Sequence, residues 1–132
     1  MRMTLTFDVY PHEYSILRFA PDELQPVWTL SPKSFVSITR TASELSIVLA
    51  TDEVGPGEFQ RDDGWRLLGL EGPIPFETTG VAAEFTTLIA SAGISVFVIA
   101  TFDTDYLLVQ ASSLEAAINA LERGGHLVRL HT

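Results

Sequence analysis

The chain has 132 residues, of which 46% are hydrophobic, and it carries eight Phe, three Tyr and two Trp, so it can bury one substantial core or two small fused ones. Eight basic residues stand against seventeen acidic ones, giving a net charge of −9. Nucleic-acid binding depends on neutralising phosphates, and the few, scattered basic residues, with Lys33 the only lysine, exclude that class of function.

The absence of cysteine excludes disulfides, thiolate metal sites and cysteine nucleophiles. The histidines, at positions 12, 126 and 131, lack the spacing of metal ligands, so we expect no metal and a surface or structural role for each. There is no apolar run of the length that spans a membrane and no signal peptide at the N-terminus. We therefore expect a soluble, cytoplasmic protein without a membrane partner.

The first half of the sequence predicts strands and little helix. Residues 14–20 form a plausible strand, and the prolines in residues 21–30 limit any helix there to a short or broken one. Residues 34–41 and 44–50 predict a β-hairpin in which Leu45, Ile47 and Leu49 share one face. Residues 52–64 contain glycine, proline and mixed charge without a period, which indicates a loop or linker.

The second half begins with a predicted strand at residues 65–72, followed by a proline-bearing loop. Residues 80–93 then predict an amphipathic helix, because five apolar residues recur at helical spacing: Val81, Phe85, Leu88, Ile89 and Ala92. Thr78 or Thr79 is the expected N-terminal cap, and Gly93 is the expected end of the helix.

Two further strands and one helix complete the prediction. Residues 94–101 and 105–111 read as strands, and Ser112 with Glu115 predicts a capping box for a helix that stops at Gly124 and Gly125. Residues 126–130 form a last short strand. The order of this half is βαββαβ, typical of a ferredoxin-like fold with helices over one face of an antiparallel sheet.

The two predicted hairpins align with each other without gaps at a shift of 61 residues, which pairs Ser43 with Thr104 and Glu44 with Asp105. This self-similarity predicts an α+β chain of two tandem ferredoxin-like repeats, at residues 1–64 and 65–132, the first of them incomplete because it lacks a clear closing helix. Residues 94–100 are apolar at odd and even positions alike, so neither face of that strand should meet water.

Several stretches resemble the small bacterial ACT-domain proteins that are related to the CASTOR arginine sensors. The resemblance extends over residues 14–127, and its most specific parts are the segment Thr79-Gly80-Val81 and the sequence TFDTD at residues 101–105. In that family these two segments lie near each other and line an amino-acid site between ACT repeats. CASTOR proteins carry four repeats, so the resemblance implies a homodimer of this two-repeat chain, and it implies neither an enzymatic activity nor a cofactor.

The residues of these two segments suit an amino acid on chemical grounds. A glycine at a helix start lets a ligand approach the backbone, and the free N–H groups of the first turn suit a carboxylate. The acidic TFDTD segment offers acceptors for a cationic amine. The candidate ligand-binding residues are Thr79, Gly80, Val81, Thr101, Phe102, Asp103, Thr104 and Asp105.

Two alternatives remain open at the level of sequence. Aspartate and threonine between strands are common turn formers, so the TFDTD segment could belong to a ligand-free protein-interaction module. Asp103 and Asp105 could also act as an acid/base pair of an enzyme, although the sequence shows neither an electrophile nor a metal beside them. A cavity filled by a small molecule would favour the binding function, whereas a flat contact would favour the module.

Overall fold

The computed structural model describes residues 3–30, 33–75 and 78–131, so Phe76 and Glu77 in the predicted loop after the fourth strand lie outside the described residues. The helices and strands are β1 (Thr6–Phe19), β2 (Val36–Arg40), β3 (Leu45–Ala50), β4 (Gln60–Leu70), α1 (Val81–Ser91), β5 (Phe97–Ala100), β6 (Asp105–Gln110), α2 (Leu114–Arg123) and β7 (Leu127–Leu130). By their contacts these elements divide into two compact units, Met1–Pro11 with Arg66–Thr132, and His12–Trp65.

The N-terminal unit, residues 12–65, contains the second part of β1, β2, β3 and the first part of β4. Its strands follow the order β2-β3-β1-β4, with antiparallel pairing of β1 to β3 and of β2 to β3. Short 3-10 turns at Val27–Thr29 and Thr51–Glu53 take the place of helices among the described residues of this unit. Its small core contains the predicted face of β3, with Leu45, Ile47 and Leu49 fully buried.

The C-terminal unit follows the predicted order βαββαβ in β4, α1, β5, β6, α2 and β7, with the first part of β1 added. Neighbouring strands follow the order β7-β1-β4-β6-β5. β5 pairs with β6 antiparallel, whereas β7 pairs with β1 parallel, so the sheet is not wholly antiparallel as predicted. The N-terminal strand therefore stands between β7 and β4.

Helix α1 packs its predicted apolar face into the core of the C-terminal unit. Val81, Phe85 and Ile89 are buried there, and the ring of Phe85 meets that of Phe7 from β1 edge-on, with centroids 5.9 Å apart. Leu121 of α2 belongs to the same cluster, so both helices cover one face of the strands, as predicted. Neither described helix is long and apolar enough to cross a membrane.

The element boundaries depart from prediction mainly at strands with polar ends. β1 begins at Thr6, before the strand predicted at residues 14–20, because polar and apolar residues alternate there. β4 begins at Gln60, within the predicted linker, because its polar residues extend a strand that lies beside β1 in the sheet. β5 is also less buried than predicted: Val98 is 40% exposed. Within one chain, this apolar strand meets water on one face.

Both predicted helix caps are wrong. Gly80 occupies the N-cap of α1 and Ser113 that of α2, and neither helix has a side-chain cap hydrogen bond, so Thr78, Thr79 and Ser112 do not cap. Instead, α1 begins after a glycine with a left-handed backbone, and α2 follows directly after a 3-10 turn at Ala111–Ser113. The predicted ends hold, because Gly93 and Gly125 both adopt positive φ just past their helices.

The loops of the two hairpins have the same internal hydrogen bonds. In the first loop the Thr41 Oγ1 accepts the N–H of Glu44 at 3.2 Å, and the Thr41 N–H donates to the Glu44 carbonyl at 2.9 Å. In the second loop Thr101 and Thr104 form the corresponding bonds at 3.3 and 2.8 Å. Each loop has four residues, and its first threonine closes it.

The hairpin register corrects the alignment of the two hairpins by one residue. Arg40 pairs with Leu45 and Ala100 pairs with Asp105, so equivalent positions lie 60 residues apart, as Arg40 and Ala100 do, rather than the predicted 61. A slip of one residue turns every side chain to the other face of a sheet. The corrected shift pairs Glu44 with Thr104 and leaves Asp105 without an acidic counterpart.

Candidate functional site

A cavity of about 420 Å³ lies in the C-terminal unit where three segments meet. The segments are the loop after β4, the first turn of α1 and the hairpin between β5 and β6. The lining residues are Ile74, Pro75, Thr78, Gly80, Val81, Ala82, Ala83, Ala100, Thr101, Phe102, Thr104 and Asp105.

The first turn of α1 presents backbone donors to this cavity. The N-cap Gly80 has φ 82° and ψ 9°, a left-handed conformation that glycine adopts without steric cost. The first N–H to bond within the helix is that of Glu84, which donates to the Gly80 carbonyl at 2.9 Å. The N–H groups of Val81, Ala82 and Ala83 therefore have no acceptor within the helix, and with the helix dipole they form a site suited to an anion.

The hairpin loop is fixed against the segment that follows β4. The Thr104 hydroxyl donates to the Leu70 carbonyl at 2.8 Å, and the Ile74 N–H donates to the Asp103 carbonyl at 2.7 Å. Gly72 fits closely here, since a Cβ at that position would lie 2.9 Å from the Cβ of Thr104. Two walls of the cavity are thus held together before any ligand arrives.

The two aspartates of the hairpin lie in different surroundings. Asp105 is half-buried and lines the main cavity. Asp103 is exposed and lines a neighbouring cavity of about 210 Å³ together with Pro73. Asp105 is therefore the carboxylate that shares a cavity with the N-terminal end of α1, and the structure does not place both aspartates in that cavity as an acid/base pair would require.

Six of the eight predicted site residues line the cavity: Gly80, Val81, Thr101, Phe102, Thr104 and Asp105. Thr79 is exposed beside the helix start, and Asp103 faces the neighbouring cavity. Sequence reasoning missed six lining residues: Ile74, Pro75, Thr78, Ala82, Ala83 and Ala100. The free N–H groups of a first helical turn were the available signal for Ala82 and Ala83, because those donors extend beyond the N-cap.

This arrangement can hold a small zwitterion, with its anionic group at the first turn of α1 and its cationic group at Asp105. Within the part of the chain that the structure describes, no group of three or more histidine and carboxylate side chains could hold a metal ion. The walls are backbone donors, hydroxyls, one carboxylate and apolar surface. Such a set is suited to binding by charge and hydrogen bonding.

Two family models match the chain. Residues 60–123, which include every residue that lines the cavity, match the model of the ACT domain. Residues 12–56 match a second model, described as an N-terminal domain. The two models divide the chain close to the boundary between its compact units.

Solved structures extend the comparison over the whole chain. A crystal structure of a protein from Agobacterium tumefaciens is 35% identical, with a TM-score of 0.90, and the match covers 98% of this chain and 96% of that one. The ligand-free regulatory subunit of aspartate kinase from Thermus thermophilus is 16% identical, with a TM-score of 0.65 over 94% of this chain and 99% of that one. The second match shows likeness of fold alone.

Among curated proteins, the human "Cytosolic arginine sensor for mTORC1 subunit 1" is 33% identical over 60 residues. The match covers 45% of this chain and 18% of the human protein. The same sensor from Bos taurus matches to the same extent. The chain thus spans less than a fifth of the length of these relatives.

Proposed function

We propose that this chain, which belongs to the same family as the Agobacterium protein and whose residues 60–123 match the ACT domain, is a non-enzymatic regulatory protein that binds a free amino acid in the cavity at the start of α1. The observation that carries the proposal is one cavity that contains both the free N–H groups of Val81–Ala83 and the carboxylate of Asp105. An α-amino acid carries the two charges that such a cavity would complement.

The descriptions of similar proteins support a regulatory role. The human relative is described as an arginine sensor, and the Thermus neighbour is the regulatory subunit of a kinase. Both descriptions concern control rather than the chemistry of a reaction. Arginine is accordingly the first amino acid to test, with specificity set by the lining residues of this chain.

We also propose that the chain holds two ACT-like repeats. The strand order of its N-terminal unit is β2-β3-β1-β4. The corresponding strands of the C-terminal unit lie in the same spatial order, β5-β6-β4-β7, with part of β1 between β4 and β7. The matching bonds of Thr41 and Thr101 in the hairpin loops support a common origin. The N-terminal repeat is the incomplete one, because it has 3-10 turns at the two positions where the C-terminal repeat has helices α1 and α2.

A homodimer joined through the C-terminal repeats is the assembly we propose. β5 is the end strand of its unit, consists of four uncharged residues and leaves Val98 40% exposed. An edge strand of this kind pairs with a neighbour on one side only, and its other side can pair with a strand of another chain. Ala100 and Thr101 at the end of β5 line the cavity, so a second copy there would lie beside the proposed ligand.

A thermal-shift screen of the twenty amino acids tests the binding function. A ligand at about 100 times its dissociation constant stabilises a one-site protein by roughly 2.7 kcal/mol, which raises the melting temperature by several degrees. We expect one amino acid, or a small related group, to produce this shift. If none of the twenty does so at millimolar concentration, amino-acid binding is wrong and a ligand-free interaction module takes its place.

A further inference from the structure

His126 is a buried polar side chain that connects three elements of the C-terminal unit outside the cavity. It is 3% exposed and lies directly before β7, after the turn at Gly124 and Gly125 that follows α2. Its Nδ1 accepts the N–H of Leu5 at 3.0 Å, and its Nε2 lies 2.7 Å from the Oε2 of Glu84 on α1. The ring also meets Phe7 edge-on, with centroids 6.1 Å apart.

These contacts determine the tautomer of the ring. Because the Leu5 N–H donates to Nδ1, that nitrogen must offer a lone pair and carries no proton. The proton of the neutral ring is therefore on Nε2, where it donates to the carboxylate of Glu84. The ring thus contacts the backbone N–H of Leu5, the carboxylate of Glu84 and the ring of Phe7, and the backbone N–H of His126 donates to the Leu121 carbonyl at 3.1 Å.

Glu84 has an alternative partner within its own helix. Helical side chains tilt toward the N-terminus, so a glutamate one turn into a helix extends over the preceding turn. Three residues before Glu84 lies Val81, whose N–H is one of the free donors at the cavity. The positive end of the helix dipole would favour this position for a carboxylate. A released Glu84 would thus compete for the donors that a bound anion needs.

We infer that His126 is a positioning residue that holds the Glu84 carboxylate away from the start of α1 and so keeps the N–H groups of Val81–Ala83 available to a carboxylate ligand. The inference rests on the proposed function, because it assigns those donors to the ligand. It explains why a buried histidine that does not line the cavity has its one ring donor aimed at the first turn of the helix that begins there.

Two amide variants separate the two ends of the ring. In His126→Asn the side-chain oxygen can replace Nδ1 as acceptor for Leu5, but the side chain is too short to reach Glu84. In His126→Gln the side-chain NH₂ can replace Nε2 as donor to Glu84, while the contact with Leu5 is lost. The double variant His126→Asn, Glu84→Gln removes the competing charge altogether.

NMR of the ligand-free protein tests the position of Glu84 directly. We expect the Val81 amide proton to move downfield in His126→Asn, because a carboxylate now accepts it, and to return toward its parent position in the double variant. In His126→Gln it should stay near its parent position. An unchanged Val81 amide in a folded His126→Asn protein would overturn the inference.

Calorimetry with L-arginine as the probe tests the consequence for binding. His126→Asn should bind about three- to tenfold more weakly, since a carboxylate at a helix end and its hydrogen bond must be displaced. His126→Gln and the double variant should bind within about twofold of the parent. If His126 only stabilises the fold, the affinity of each variant for L-arginine will follow its thermal stability. In that case, adding Glu84→Gln to His126→Asn will not restore the affinity.

The proposed function and this inference fail in distinguishable ways. If L-arginine does not bind the parent protein, arginine as the ligand is wrong, and the amide shifts alone decide the role of His126. If His126→Asn does not fold, Glu84→Gln in the otherwise unchanged chain is the deciding variant. The inference predicts equal or tighter binding of L-arginine to it, and weaker binding contradicts the inference.

Discussion

Asp105 occupies the position in the cavity where a ligand ammonium group would find a carboxylate. Replacing it with asparagine keeps the shape of the side chain and removes its charge. A charge-assisted hydrogen bond contributes about 1.5 to 3 kcal/mol, so Asp105→Asn should weaken amino-acid binding roughly ten- to a hundredfold. Isothermal titration calorimetry with the amino acid selected by the screen measures this change.

Asp103 provides the matched control for Asp105. It lies two residues before Asp105, in the loop that precedes β6, but it is exposed and lines the neighbouring cavity. Asp103→Asn should leave the affinity unchanged. Equal affinities for Asp105→Asn and the parent would mean that the Asp105 carboxylate does not contact the ligand and that the assigned cation position is wrong.

Asp8 makes the stability of the protein depend on pH. The guanidinium of Arg129, which donates to Asp8 at 2.8 Å, lowers the pKa of the Asp8 carboxyl, and His131 adds to this while partial burial opposes it. A lowered folded-state pKa stabilises the protein above the ordinary aspartate pKa of about 3.9, and this contribution is lost as the pH falls through the folded value.

Asp8→Asn should therefore lower the free energy of unfolding at pH 7 and have a smaller effect below pH 3. Urea unfolding at several pH values between about 2 and 7 measures the difference between parent and variant. A difference that is independent of pH would show that the interaction of Asp8 with Arg129 does not depend on charge.

At the scale of elements, the two hairpin loops offer a natural comparison. Thr101 closes one loop beside the cavity, and Thr41 closes the equivalent loop in the other unit with the same bonds. Replacing either threonine by valine removes a hydroxyl that both donates and accepts. Each variant should lose about 1 kcal/mol of stability, as judged by urea unfolding.

Ligand affinity should separate these two variants. Thr101→Val loosens a wall of the cavity and should weaken amino-acid binding, whereas Thr41→Val should bind as the parent does. Equal losses of affinity in both variants would contradict the assignment of the site to the C-terminal unit.

Apolar periodicity made helix α1 predictable, but the sequence did not define where elements begin. Its buried residues recur at helical spacing, and packing follows that pattern directly. The N-cap was missed because threonine is a common cap, whereas here the left-handed Gly80 turns the chain into the helix without one. The start of β4 was missed because residues 60–64 are polar, and strand pairing depends on partners far away in sequence.

The hairpin alignment shows a further limit of sequence comparison. Ser43 and Glu44 resemble Thr104 and Asp105 as a pair, which favoured a shift of 61. The loop hydrogen bonds and strand register instead depend on the position of the first threonine, which gives 60. A free helix end and an acidic loop were both visible in the sequence, but only the family resemblance implied that they lie near each other, and the segment after β4 that completes the cavity carried no chemical signal.

At the scale of the whole molecule, the proposed homodimer depends on β5. Val98→Lys places a charge on the exposed edge strand, where it would have to be buried in a dimer and would meet water in a monomer. We expect light scattering to give about twice the 14.5 kDa of one chain for the parent and a monomer for the variant at tens of micromolar. A monomeric parent at that concentration would contradict the dimer.

We propose above that one cavity, formed by the start of α1 and the β5–β6 hairpin, binds an amino acid. The most direct measurement is an amide NMR titration of the isotope-labelled protein with the amino acid selected by the screen. We expect the largest shifts at the amides of Val81, Ala82, Ala83 and Asp105, and we expect them to saturate together with one dissociation constant. Saturating shifts that occur in the N-terminal unit and leave these amides unchanged would contradict it.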